Sequence, residues 1–207
     1  QMKRARKFLV CMLGYLAIAI CGNIVTANEA NSLSETAKVE FYISSLYNRI
    51  DFSNFERLSF QVFNNAMRGF INLRSAGKLN NEKQIITICD FNQPSVLNRL
   101  WVIDLSLGKI LFNTFVAHGQ GTGEDCAVTF SNRENSHQSS LGFYVTTEVY
   151  KGDHGTSLRM QGMDQGFNDA AFKRDIVVHG ADYVSEKYIA ENQRLGRSWG
   201  CPAVPVK

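Results

Sequence analysis

The hydrophobic period of this chain changes once, near Gly77, and that change divides it into a helical part and a β part. Ahead of it, Phe55, Leu58, Val62, Ala66, Phe70 and Leu73 recur at steps of 3, 4, 4, 4 and 3. Such steps mark one face of a 3.6-residue helix, predicted over 54–75 with Asn54 as N-cap and Gly77 as stop. A second helix is predicted over 33–50, opened at Ser34, with Phe41, Ile43, Leu46, Tyr47 and Ile50 on its apolar face. The short break at Ser53-Asn54 makes the two an antiparallel helical pair, read as a packing element.

Past Gly77 the apolar residues come in short β-branched runs punctuated by glycine and asparagine. Strands are predicted at Ile85 to Phe91, Leu100 to Leu105, Lys109 to Val116 and Gly142 to Tyr150, with Ser106-Leu107-Gly108 as a hairpin turn. Residues 118–125, 131–141 and 151–168 read as loops. Ile176 to His179 is a short buried strand, and Ser185 to Gln193 a short helix. The architecture expected is mostly β, a sandwich or barrel, preceded by the N-terminal helical pair.

The first residues stand apart. Lys3, Arg4, Arg6 and Lys7 precede an uncharged apolar run from Phe8 to Gly22, and Val25-Thr26-Ala27 offers a cleavage site. This is the layout of a secretory signal peptide, the run being shorter than the roughly 20 residues of a membrane span. The alternatives are an uncleaved anchor or a lipoprotein acylated at Cys21. The predicted organisation is a signal peptide over 1–27, a helical segment over 28–78 and a mostly β domain over 79–207, exported to the periplasm or cell envelope, with no membrane span once the signal is removed. Its oligomeric state is left open. Residues 1–27 hold 4 of the 22 Lys+Arg and none of the 19 Asp+Glu, so the mature chain carries 18 − 19 = −1. The basic balance therefore belongs to the targeting segment, and nothing supports a nucleic-acid partner. Three cysteines remain, Cys89, Cys126 and Cys201. An odd number in an exported chain leaves at least one thiol unpaired. Cys89 and Cys126 border apolar runs and read as core residues or one disulfide, whereas Cys201 sits in a Gly/Ser-rich turn suited to a reactive thiol.

His179 ends an apolar run, and Cys201 follows 22 residues later in Gly196-Arg197-Ser198-Trp199-Gly200-Cys201-Pro202. A thiol becomes a nucleophile when an imidazole within reach takes its proton. Glycines beside it let backbone N–H groups approach a reacting carbonyl. Pro202 has no N–H, so the oxyanion donors expected are those of Cys201 and Gly200.

The string from His179-Gly180 to Ser198-Trp199-Gly200-Cys201 resembles the signature of the murein L,D-transpeptidase catalytic-domain family, a His-Gly followed by Ser/Thr-x-Gly-Cys. Phe115-Val116-Ala117-His118-Gly119, Phe130-Ser131-Asn132, Ser139-Ser140-Leu141-Gly142-Phe143-Tyr144 and Gly166-Phe167-Asn168-Asp169 are similar to segments of a subgroup found largely in Gram-negative bacteria. The resemblance implies an L,D-transpeptidase-like β-sandwich or barrel with Cys201 as nucleophile and His179 as general base, then acid. It implies that Gly200 helps form the oxyanion hole, while Ser198 and Gly180 shape the pocket. The implied substrate is the peptidoglycan stem peptide, cut on the L-side of an L,D bond with release of D-Ala. The acyl group then passes to a neighbouring stem or to water, with no metal or organic cofactor. Many members carry Arg two residues after the cysteine, where this chain has Ala203, and His where it has Trp199. Arg197 is then the candidate carboxylate anchor, and Trp199, Tyr183 and His118 are candidate substrate contacts. The chain stops six residues after Cys201, short of an expected closing strand, which reads as a truncation.

The remaining ionisable residues carry less. The glycines after His118 lack the Gly-Lys-Ser/Thr of a phosphate loop. His137 and His154 lie in polar loops without metal-ligand spacing, so no metal site is expected. Asp182 or a backbone carbonyl is the expected partner that orients His179. A carboxypeptidase differs from a transpeptidase only in its acceptor, and a catalytically silent envelope-binding domain would keep the same fold. Labelling by a thiol electrophile at Cys201, but not at Cys89 or Cys126, would favour the enzyme.

Overall fold

The computed structural model describes residues 27–80, 82–153 and 155–206, with side chains from residue 34 onward. The predicted signal segment lies outside the described residues but for Ala27, and so does His154. Among the described residues no helix is long and apolar enough to cross a membrane. The chain divides between Tyr42 and Ile43 into two units. Helix α1 (Ala27–Arg49) runs through that division, and its residues 34–42 are mostly exposed, Phe41 at 75% included. Phe41 therefore does not belong to the apolar face predicted for it.

In the second unit, the end of α1 meets α2 (Phe60–Ser75) through Tyr47, whose ring lies 5.3 Å from Phe60 and 5.4 Å from Phe63 and whose hydroxyl donates to the Leu58 carbonyl. The predicted helical pair is present, but α2 starts later than expected. Ser59, not Asn54, caps it by accepting the Val62 N–H. The buried face is Phe63, Met67 and Gly69, while Phe55 is exposed. The periodic series therefore included residues outside the helix and missed its inward stripe.

Strands β1 (Ile85–Cys89), β2 (Leu100–Asp104) and β3 (Lys109–Thr114) form an antiparallel meander in that order. The β2–β3 turn is built as predicted. The Asp104 carboxylate accepts the N–H groups of Ser106 and Leu107, and Gly108 adopts φ +63° against the Arg49 carbonyl, where a Cβ would stand 2.8 Å from that oxygen. Trp101 on β2 is fully buried and donates its indole N–H to the Glu56 carbonyl.

The second sheet has the order β4 (Tyr144–Gly152), β5 (Gly155–Gly162), β6 (Val177–Gly180) and β7 (Ala203–Val204), the β6–β7 pair being parallel. Strand β5 falls in the segment predicted as a loop. Its sequence, Gly-Thr-Ser-Leu-Arg-Met-Gln-Gly, has only Leu158 and Met160 as apolar residues, and pairing with both β4 and β6 is what extends it. The apolar run that Cys126 borders, residues 127–130, forms no strand. Ala117 joins the two sheets, exchanging hydrogen bonds with Ala203 at 2.8 and 3.4 Å. Helix α3 (Glu186–Asn192), capped by Ser185, leads into the cysteine turn.

Candidate active site

Strand β6 is too short to stand alone and is held from both sides. Its His179 faces Ser157 across the antiparallel pair with β5 and Ala203 across the parallel pair with β7. His179 is buried, and its Nδ1 lies 2.9 Å from the carbonyl oxygen of Gly180. A carbonyl only accepts, so Nδ1 carries the proton and Nε2 keeps the lone pair of a base. Asp182 is exposed, and the Gly180 carbonyl holds the orienting position.

The β6–β7 register also sets the level of the cysteine. With His179 opposite Ala203, Cys201 falls beside Val177, whose N–H points at Cys201 Sγ at 3.5 Å. The thiol itself donates to the Asp175 carbonyl at 3.6 Å. Asp175 holds φ +54°, a conformation that short polar residues tolerate best. Burial pushes the Cys201 thiol above its ordinary value, opposed by the Val177 N–H and the Arg174 guanidinium and reinforced by Asp175. The resting thiol is protonated near neutral pH and must lose its proton to become a nucleophile.

The cysteine turn is tied through its small residues. Ser198 Oγ accepts the Gly200 N–H at 3.1 Å and donates to the Cys201 carbonyl at 2.6 Å. Backbone bonds join Ser198 to His118 and Gln120. Gly200 has φ +123°, and a Cβ there would lie 2.8 Å from the Gln138 carbonyl. Gly196 makes room for Tyr183, since a Cβ would fall within 2.4 Å of that side chain. Burial, and then the nearby thiol, push the Tyr183 phenol up to about 12, so it stays protonated beside the site.

Sequence reasoning missed Arg174 and Ser139. Arg174 donates to the carbonyls of Ser131 and Gln138 at 2.8 and 2.5 Å, drawing the 131–140 loop onto the cysteine turn. Ser139 Oγ accepts the Gly119 N–H and donates to the Gly200 carbonyl at 3.0 Å. The basic run Lys173-Arg174 just ahead of the histidine strand was the available signal for the first; the second opens the Ser139-Ser140-Leu141-Gly142-Phe143-Tyr144 segment already singled out, but nothing there gave it a role.

Three expected substrate contacts stand differently in the structure. Arg197 is engaged by Glu124 at 2.7 Å and by the Gly123 carbonyl at 3.1 Å. Trp199 is 72% exposed and stacks flat on His137, ring centroids 4.9 Å apart, so His137 is a ring partner as well as a loop residue. His118 is buried behind the turn: its Nδ1 accepts from Arg99 Nη2 at 2.8 Å, and its Nε2–H donates to the Gly123 carbonyl at 3.3 Å. It braces the loop from inside. Cys89 and Cys126 are both free thiols, and Cys126 is exposed, where a core residue or a disulfide was expected. Among the described residues no group of three or more His, Cys, Asp or Glu converges to hold a metal ion.

Burial, and secondarily the Arg99 charge, hold His118 at about 4, below its ordinary 6.5. The unfolded chain accepts a proton that the folded state refuses, so this residue's contribution falls as pH drops from 6.5 towards 4. Chemical denaturation of the wild type and His118→Gln across that window should show the wild type's advantage shrinking as pH falls. A gap that does not change with pH would remove this role.

A family model described as L,D-transpeptidase catalytic domain matches residues 54–207, from just ahead of α2 through the cysteine turn. No curated protein and no solved structure matches the chain.

Proposed function

Because the chain belongs to the L,D-transpeptidase catalytic-domain family, and so to enzymes of peptidoglycan transpeptidation, we propose that it is an exported acyl-transferase working through a Cys201 thioester on stem peptides. The observation that carries this reading is the strand pair: an imidazole on β6 oriented through Nδ1 by the Gly180 carbonyl, and a thiol held by β6 in the turn that becomes β7.

In the proposed cycle the thiol leaves the Asp175 carbonyl and turns along β6 toward His179. Two strand residues separate their levels, roughly 7 Å, a gap to be closed by side-chain rotation and substrate binding. Nε2 takes the thiol proton as sulfur attacks the carbonyl on the L-side of the L,D bond. The oxyanion is received by the Cys201 N–H, with no hydrogen-bond partner among the described residues, and by the Gly200 N–H once it leaves Ser198 Oγ. Imidazolium then gives its proton to the departing amine, D-Ala leaves, and a thioester remains. An amine of a neighbouring stem attacks it, His179 takes the amine's proton, and the thiol is regenerated as the new amide forms.

Muropeptide analysis after incubation of purified protein with tetrapeptide murein tests this directly. New 3→3 cross-links are expected. Tripeptides alone would make water the acceptor and the protein a carboxypeptidase, and an unchanged profile would leave a silent envelope-binding domain.

A further inference from the structure

The acyl donor of the proposed reaction ends in the carboxylate of its leaving D-Ala, and a cation beside the thiol would recognise it. Ala203 cannot contribute, being fully buried between Ala117 and His179. Three guanidiniums around the turn are already occupied. Each donates to a backbone carbonyl, Arg174 to those of Ser131 and Gln138, Arg197 to that of Gly123 and Arg194 to that of Leu195, and the last two also share the exposed Glu124.

Arg159 differs. It lies on β5 opposite Val177, the residue whose N–H meets the thiol. Neighbouring strands lie about 5 Å apart, so with β6 between them its Cα starts about two strand spacings, roughly 10 Å, from Cys201, within reach of a long side chain and a bound peptide. The guanidinium is held between two rings, 4.6 Å from the Tyr150 centroid and 5.3 Å from that of Phe172. This fixes the fork without using its N–H groups. Its Nε is buried and makes no hydrogen bond; Glu148 Oε1 is 3.1 Å away but out of line with the N–H. Nη1 has a loose ion pair with Asp175 Oδ1 at 3.6 Å. Both carboxylates are largely exposed, at 66% and 83%, and such pairs contribute little. A positioned guanidinium with an unsatisfied buried N–H is poised to exchange weak surface partners for a well-aligned carboxylate.

We propose that Arg159, and not Arg197, binds the terminal carboxylate of the acyl donor. The assignment rests on the acyl-transfer reading above, and the test separates the two. D-Ala release would be measured with a tetrapeptide donor and with its C-terminal carboxamide, for the wild type, Arg159→Met, Arg159→Lys and Arg197→Met. In parallel, the two peptides would be titrated calorimetrically into Cys201→Ala protein with and without Arg159→Met. Wild type is expected to prefer the carboxylate. Arg159→Met should raise KM and Kd for the carboxylate donor about 10- to 100-fold while leaving those for the carboxamide unchanged, the range of one lost charge-assisted contact. Arg159→Lys, which keeps the charge between the rings, should recover part of the loss. Arg197→Met should keep the preference for the carboxylate. Equal effects of Arg159→Met on both donors, no effect on either, or loss of the preference in Arg197→Met would overturn the assignment and leave the acyl-transfer reading standing. Wild type that binds and cleaves neither peptide would overturn both.

Discussion

Cys201→Ala is expected to bring D-Ala release from tetrapeptide murein to background, a loss of at least about 10⁴-fold, because it removes the atom that forms the proposed thioester while the nearby Ser198 and Ser139 hydroxyls are held by backbone carbonyls. The fold should be almost untouched. The thiol is half-buried, with long contacts to Val177 and Asp175 and packing at the edge of the Met160, Ala171 and Ile176 cluster, so the denaturation midpoint is expected to fall only slightly below wild type. Release that survives the substitution would sink the thioester mechanism. Covalent labelling gives an independent reading, with one revision imposed by the structure. Cys126 is exposed, so a small thiol electrophile should mark it along with Cys201. Burial pushes the Cys89 thiol up to about 12, which makes it inert. A carbapenem, which needs an acyl-transfer site and not a mere thiol, should therefore add its mass at Cys201 alone.

His179→Ala is the second large effect, roughly 10²–10⁴-fold on acylation, the usual contribution of a general base. Burial raises the Cys201 thiol, so without the imidazole it stays protonated in the neutral range. The sign of the pH dependence follows. Raising the pH supplies thiolate from solution, and the variant's acylation rate should climb with pH through and beyond the ordinary thiol range, narrowing its deficit against wild type. Stopped-flow acylation by a chromogenic thioester between neutral and alkaline pH would measure this. A variant as fast as wild type at neutral pH, or one whose deficit does not change with pH, would exclude His179 as the base.

Much of the fold was legible in the chain because its signals are local. The β1–β3 meander follows from β-branched runs around Ser106-Leu107-Gly108, where one carboxylate and one left-handed glycine suffice to turn the backbone. Strand β5 was not legible, since Ser157, Met160 and Gly162 are its only buried positions and neighbouring strands impose its extension. The start of α2 was misplaced because Asn54 and Ser59 are both competent caps, and side-chain packing around Tyr47 selects the second.

For the site, the sequence by itself determined the pair proposed to react. A histidine closing an apolar strand and a cysteine in a glycine turn are set by residue type and spacing, and backbone pairing then brings their segments together. Charge state, exposure and salt-bridge occupancy were decided only by the tertiary structure. Cys201 is a parked, protonated thiol, His118 a buried neutral brace, and Arg197 an occupied cation, while Arg159 is brought opposite Val177, the residue whose N–H meets the thiol. The physical reason is that desolvation and ion pairing depend on which groups surround a side chain. Those groups come from strands and loops far apart in sequence, so no local pattern records them.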